Sequence, residues 1–196
     1  STGFHLWNAQ GVRKQKEILQ TPFNLLTSAI IAEICFARHP HVKKLNVGIT
    51  VFFPFLKARN RYGIILVTVK RGSLKQISRQ IQKQIPHSMQ IWGTTALQAY
   101  VMARVPDRIF LRLMTYYRKQ IDVLVSNVPV GQLPVSIDNI PAQLSCHPKE
   151  LSLPYYFLLM GTRDHLHVSY TSLFDQTADF ASLPQSVSID HCVNTK

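Results

Sequence analysis

Acidic residues are scarce in this chain. Its 196 residues hold 10 Asp plus Glu against 22 Lys plus Arg, a formal net charge of +12 and a pI near 9.9. Such a balance excludes an acidic solvating chain and favours polyanionic partners: phosphorylated cofactors, anionic headgroups, nucleic acid or an acidic protein. Charge of either sign is thin at 16%, while 46% of residues are hydrophobic, which excludes a disordered chain. The 8 glycines and 11 prolines follow no period, which excludes collagen-like and low-complexity classes. No apolar run approaches the ~20 residues that cross a bilayer as a helix. Ser1 to Gln10 lack the basic-then-apolar order of a signal peptide. Cysteine is rare: Cys35, Cys146 and Cys192 are odd in number and far apart, which argues against a disulfide framework. They fit a reducing compartment, the cytoplasm or an organellar matrix, with membrane association left open. Cys146-His147 and His191-Cys192 match no common zinc spacing, so no metal site is expected. The Gly-x-Ser-x-Gly elbow, the phosphate loop, the GxGxxG turn, a kinase signature and His-Glu-x-x-His are all missing. Each of those chemistries needs a compact local constellation, so each is excluded in its usual form.

What is present suits one domain or a large piece of one. Leu6 to Leu19 mixes basic and apolar residues and reads as a short helix. Thr21-Pro22 reads as a helix start, Thr as cap and Pro at the first helical position. Phe23, Leu26, Ile30 and Ile34 follow at helical spacing up to Pro40, and Cys35 and Phe36 widen the stripe, so burial on more than one side is expected. Leu45 to Phe55 and Tyr62 to Val69 read as strands, the second apolar enough to be covered on both faces. Ser73 caps a helix whose stripe is Leu74, Ile77, Ile81 and Ile85, opposite Lys75, Arg79 and Lys83. Thr94 to Arg104 and Pro106 to Lys119 read as two more helices, with Ile109, Phe110, Leu113, Met114 and Tyr117 as core. Ile121 to Val125 is a compact strand, and Tyr155 to Met160 with His165 to Thr171 reads as a hairpin. Asp175 to Leu183 reads as a last short helix. The order predicts a mixed α/β layer structure without internal repeats.

Two constellations carry candidate chemistry. His165 and His167 lie two apart in a strand and share a face. A half-exposed hairpin pair and a ligand or general-base role are both open. In Asp122-Val123-Leu124-Val125-Ser126-Asn127-Val128-Pro129, a buried strand ends in small hydrogen-bonding residues before a proline. Ser126 and Asn127 stand where a strand would leave the sheet, a usual place for ligand contacts. A polar pair satisfying turn backbone groups is the other reading.

Ser126-Asn127-Val128-Pro129 matches the Ser-Asn-Val-Pro motif of the wax ester synthase / diacylglycerol acyltransferase family, within the chloramphenicol acetyltransferase-like, CoA-dependent acyltransferases. Over roughly residues 12 to 185 the chain resembles that family's C-terminal half. Thr21-Pro22-Phe23-Asn24 is similar to its Thr-x-Asn-Asp helix start. Val47 to Phe55, a basic loop with Asn60 and Gly63, and Ile64 to Val69 resemble its strand pair, and Tyr155 to Thr171 its closing hairpin. The resemblance implies a mixed-sheet half of a two-lobe fold: residues 1–20 a basic N-terminal segment, 21–185 the acyltransferase C-terminal-like domain, 186–196 a tail. It implies acyl-CoA as co-substrate with no bound cofactor, and a tunnel lined by Ser126, Asn127 and Asn24. Lys57, Arg59 and Arg61 would attract the CoA phosphates by charge.

The chain departs from the family where the chemistry resides. The family's His-His-x-x-x-Asp-Gly, whose second histidine deprotonates the acceptor hydroxyl, is absent, and Leu25 stands where the family has Asp after Asn24. No catalytic residue is therefore expected in this chain. Three readings follow: a C-terminal half needing an N-terminal half for O-acyl transfer, a non-catalytic basic subunit of a larger assembly, and a nucleic-acid binder. The third is disfavoured because no RNA-binding signature is present.

Overall fold

The computed structural model describes residues 2–52, 62–85, 106–129, 136–137, 140–141, 153–161 and 165–173. In chain order these form strand β1 (Thr2–Asn8), helices α1 (Ala9–Leu19) and α2 (Phe23–Arg38), and strands β2 (Lys44–Phe52) and β3 (Tyr62–Lys70). Helices α3 (74–85) and α4 (Asp107–Lys119), strand β4 (Val123–Pro129) and a small ribbon of β5 (Ser136–Ile137) and β6 (Ile140–Pro141) follow. Strands β7 (Tyr155–Gly161) and β8 (His165–Ser172) close the described chain. The expected helices at Thr94 to Arg104 and Asp175 to Leu183 lie outside the described residues, as do Lys57, Arg59 and Arg61.

Six strands form one mixed sheet in the order β1-β8-β7-β4-β2-β3. β2, β4 and β7 run parallel; β3, β8 and β1 run antiparallel to their neighbours. This is the mixed α/β architecture that the element order predicts. One face carries Val47, Ile49, Val67, Val123, Val125, Phe157, Leu159 and Val168 against Val12 of α1, Leu26 and Ile30 of α2, and Ile77 and Ile81 of α3. Full burial of each such aliphatic side chain is worth about 1.5–3 kcal/mol. α2 is buried from Leu25 through Ala32, as its apolar width predicts. Its Thr27 and Ser28 hydroxyls donate to Phe23 O and Asn24 O, so neither leaves a polar orphan in the core.

Three local expectations are corrected. The helix expected from Leu6 begins at Ala9, because residues 2–8 pair with β8 along their whole length. Trp7 is buried there, and Asn8 caps α1 by accepting from the Gln10 N–H at 2.8 Å. The N-cap of α2 is Pro22 rather than Thr21. The buried Thr21 hydroxyl lies 2.9 Å from the Ser78 hydroxyl and accepts from Gln82 Nε2 at 2.7 Å, joining the α1–α2 turn to α3. β3 is an edge strand with alternating burial: Ile65, Val67 and Val69 are buried, Ile64 and Thr68 exposed. An apolar run does not reveal that one of its faces meets solvent.

α3 keeps its predicted face and start. Gln76 Oε1 accepts from the Ser73 N–H, half of a capping box. Two further glutamines reach from α3 to the open side of β3. Gln84 accepts from Thr68 N–H and donates to Thr68 O; Gln80 does the same at Lys70. Each carboxamide thus replaces one step of a neighbouring strand and blunts the sheet edge.

Candidate functional site

The site begins with how β2 and β4 meet. Asp122 Oδ2 accepts from the Asn46 N–H at 2.7 Å, and the Asp122 N–H donates to Asn46 O at 2.9 Å. This two-point clamp pins the start of the parallel pair. The register then runs only from Val47↔Val123 to Ile49↔Val125. Beyond it, β2 stays with β3 to Phe52↔Tyr62, while β4 stays with β7 to Pro129↔Gly161. The two strands therefore part at Ser126, at the carboxyl ends of three parallel strands, where α/β sheets hold ligands.

The expected exit of the strand at Ser126 is thus one-sided: Ser126 and Asn127 remain in β4, paired with Leu158 and Leu159. Strand alternation sends them to opposite faces. Asn127 shares the helix-covered face with Val123 and Val125 and is half-buried; Ser126, 9% exposed, shares the other with Leu124 and Val128. No hydrogen bond to a described side chain engages either one. Gly48, paired with Leu124 beside the clamp, is tightly enclosed: a Cβ would stand 3.0 Å from Leu124 Cδ1 and 3.1 Å from Ile64 Cγ2, so a larger residue needs these side-chain ends to give by a few tenths of an ångström.

Asn24 is the second residue of α2. The far end of that helix lies at the amino ends of β4 and β7, where the His39 ring nitrogen meets the Tyr155 hydroxyl at 2.5 Å. A helix of 16 residues rises about 24 Å, close to the span of seven-residue β4, so Asn24 lies toward the carboxyl end of the sheet. Asn24 and Asn127 thus belong to one side of the sheet and Ser126 to the other, with the parting of β2 and β4 between the sides. Leu25 is a core residue, 7% exposed.

The other candidates fall elsewhere. His165 is exposed and His167 buried in β8; burial, with the nearby charge of His165 second, holds the His167 imidazole below its ordinary 6.5. His167 pairs with Met160, one step along the same face from Ser126 and two strands over. Burial pushes the Cys35 thiol up to about 12, so it stays a protonated core residue. No cluster of three metal-ligating side chains occurs among the described residues. Arg71 grips the end of α2: its guanidinium donates to Phe36 O, His39 O and Val42 O and lies over the Phe36 ring. The parting of β2 from β4 has no sequence signal, because strand pairing is not written in either strand alone.

No protein-family profile and no curated protein sequence matches the chain. Solved structures do, and they define a fold class: the chain matches part of the fold shared by a wax ester synthase/diacylglycerol acyltransferase and by condensation domains. The wax ester synthase/diacylglycerol acyltransferase from Marinobacter aquaeolei VT8 aligns with 86% of this chain and 41% of its own, at 16% identity and a TM-score of 0.53. The condensation domain of the Monacolin K polyketide synthase MokA covers 88% and 42%, at 9% identity and 0.56. The starter condensation domain of the rhizomide synthetase RzmA covers 88% and 39%, at 12% identity and 0.53. The chain thus spans about two fifths of each of these neighbours.

Proposed function

We propose that this chain is the C-terminal half of an O-acyltransferase-like protein, with the opening between β2 and β4 as its contribution to a substrate passage. The observation that carries the reading is the parting of the parallel pair at Ser126, inside the one motif that matches the wax ester synthase family. A thioester-linked acyl chain is long, narrow and apolar. A gap between two strands, flanked by aliphatic side chains with a hydroxyl on one face and a carboxamide on the other, suits such a chain. Lys57, Arg59 and Arg61 follow β2 in sequence and would supply charge for the CoA phosphates. Proton abstraction from the acceptor alcohol would come from a companion N-terminal half bearing the histidine motif, by general-base catalysis.

The test is acyl-CoA consumption with a long-chain alcohol, by this chain alone and with a companion chain carrying His-His-x-x-x-Asp-Gly. Turnover is expected only in the mixture, and Ser126→Ala with Asn127→Ala should lower it by about tenfold or more. Turnover by this chain alone would refute the missing-base reading. A second reading, a non-catalytic subunit built on the same half-fold, is favoured by Leu25, an aliphatic core residue where the family carries an acid. In that case the mixture stays inactive while the two chains still co-purify.

A further inference from the structure

We propose that the solvent-facing side of α4 is a docking surface for an anionic lipid bilayer. With 3.6 residues per turn, Arg108, Arg112 and Lys119 form one column along the helix, and Ile109 and Tyr116 form the adjacent one. All five are exposed, Ile109 at 51% and Tyr116 at 62%. Ile109 and Tyr116 stand about 10 Å apart along the axis. The strip thus joins two large exposed side chains, one aliphatic and one aromatic, to a row of three cations.

The pairing of chemistries selects the partner. A helix lying flat on a membrane places cations at the lipid phosphates, tyrosine at headgroup level and an aliphatic side chain at the acyl boundary. The Arg–Lys column beside the Ile–Tyr column meets all three needs on one convex face. The only acidic residue of α4 is Asp107, at its first position, and the chain as a whole carries +12. Within α4 little opposes attraction to an anionic surface, and that attraction acts within about a Debye length. The shallow groove between α1 and α3, lined by Ile18, Lys75 and Arg79, is the competing basic surface, and it offers a single exposed aliphatic residue with no aromatic.

The test is co-sedimentation of the chain with phosphatidylcholine vesicles, with and without phosphatidylserine. Binding is expected only with phosphatidylserine and should weaken as salt rises. Arg108→Glu with Arg112→Glu should lower partitioning at least about tenfold. Ile109→Ser with Tyr116→Ser, which leaves the charge unchanged, should lower it by about tenfold through lost apolar insertion. Lys75→Glu with Arg79→Glu is the matched charge control on α3 and should stay within about threefold of the parent. These positions are exposed, so the variants should fold, and circular dichroism checks it. Equal losses from the α3 and α4 reversals would reduce the effect to net charge and overturn the proposal. Full binding by the Ile109/Tyr116 variant, or no binding by the parent, would overturn it too.

Discussion

Arg71 shows how one exposed side chain can hold two elements together. The Phe36 carbonyl in the last turn of α2 is among those without a partner in the helix, and the planar guanidinium reaches it together with His39 O and Val42 O in the segment that follows. Solvent weakens each bond, so the group is worth about 1–2 kcal/mol rather than the sum of three charge-assisted bonds. Arg71→Ala should lower the melting temperature by roughly 3–6 °C. Arg71→Lys should recover only part of it, because an ammonium on a flexible stem cannot span three acceptors. His167 sets a pH dependence. Its folded-state pKa lies below 6.5, so folding favours the neutral ring. Its contribution is complete above pH 6.5 and is lost as pH falls through 6.5 toward and past the folded value, where the unfolded chain binds the extra proton. Denaturant midpoints across that range should decline for the parent, and the His167→Gln profile should be flatter.

Elements were legible in the sequence wherever one periodicity dominated. α2 and α3 lie where their stripes and the Ser73 cap place them, and the β7–β8 hairpin sits within a residue of its expected ends. The errors arise where a partner element decides. Nothing within Leu6 to Asn8 shows that β8 will capture it as a strand, and nothing in Thr21 shows that Ser78 and Gln82 will claim its hydroxyl. Ile109, expected in the core, faces solvent although its spacing fits a stripe. The glutamine clamp on β3 likewise depends on a neighbouring element, α3. Gln80→Ala with Gln84→Ala removes four hydrogen bonds that shield Thr68 and Lys70. The variant should self-associate through the β3 edge in light scattering at concentrations where the parent does not. Unchanged mass in both would show that the edge is shielded otherwise.

At the level of the whole molecule, the first strand in the chain closes the sheet beside the last one described. β1 covers the edge of β8 and brings Trp7, 1% exposed, into the core made by α1, α2 and the central strands. Loss of a buried tryptophan alone costs about 3–5 kcal/mol, a large share of the 5–15 kcal/mol that holds a typical domain. A chain starting at Ala9 should therefore lose a single cooperative unfolding transition by circular dichroism. Retention of the parent's midpoint would make β1 expendable.

The amino-acid order alone determined the α/β class, the buried helices, the hairpin and the Ser-Asn-Val-Pro stretch, because each rests on spacing within a dozen residues. Only the tertiary structure decided that β2 and β4 part at Ser126, that Ser126 and Asn127 look to opposite sides, and that Arg71 binds a helix end. Those facts depend on which distant segments become neighbours. Neighbours are chosen by the joint burial of many side chains, which no single segment encodes.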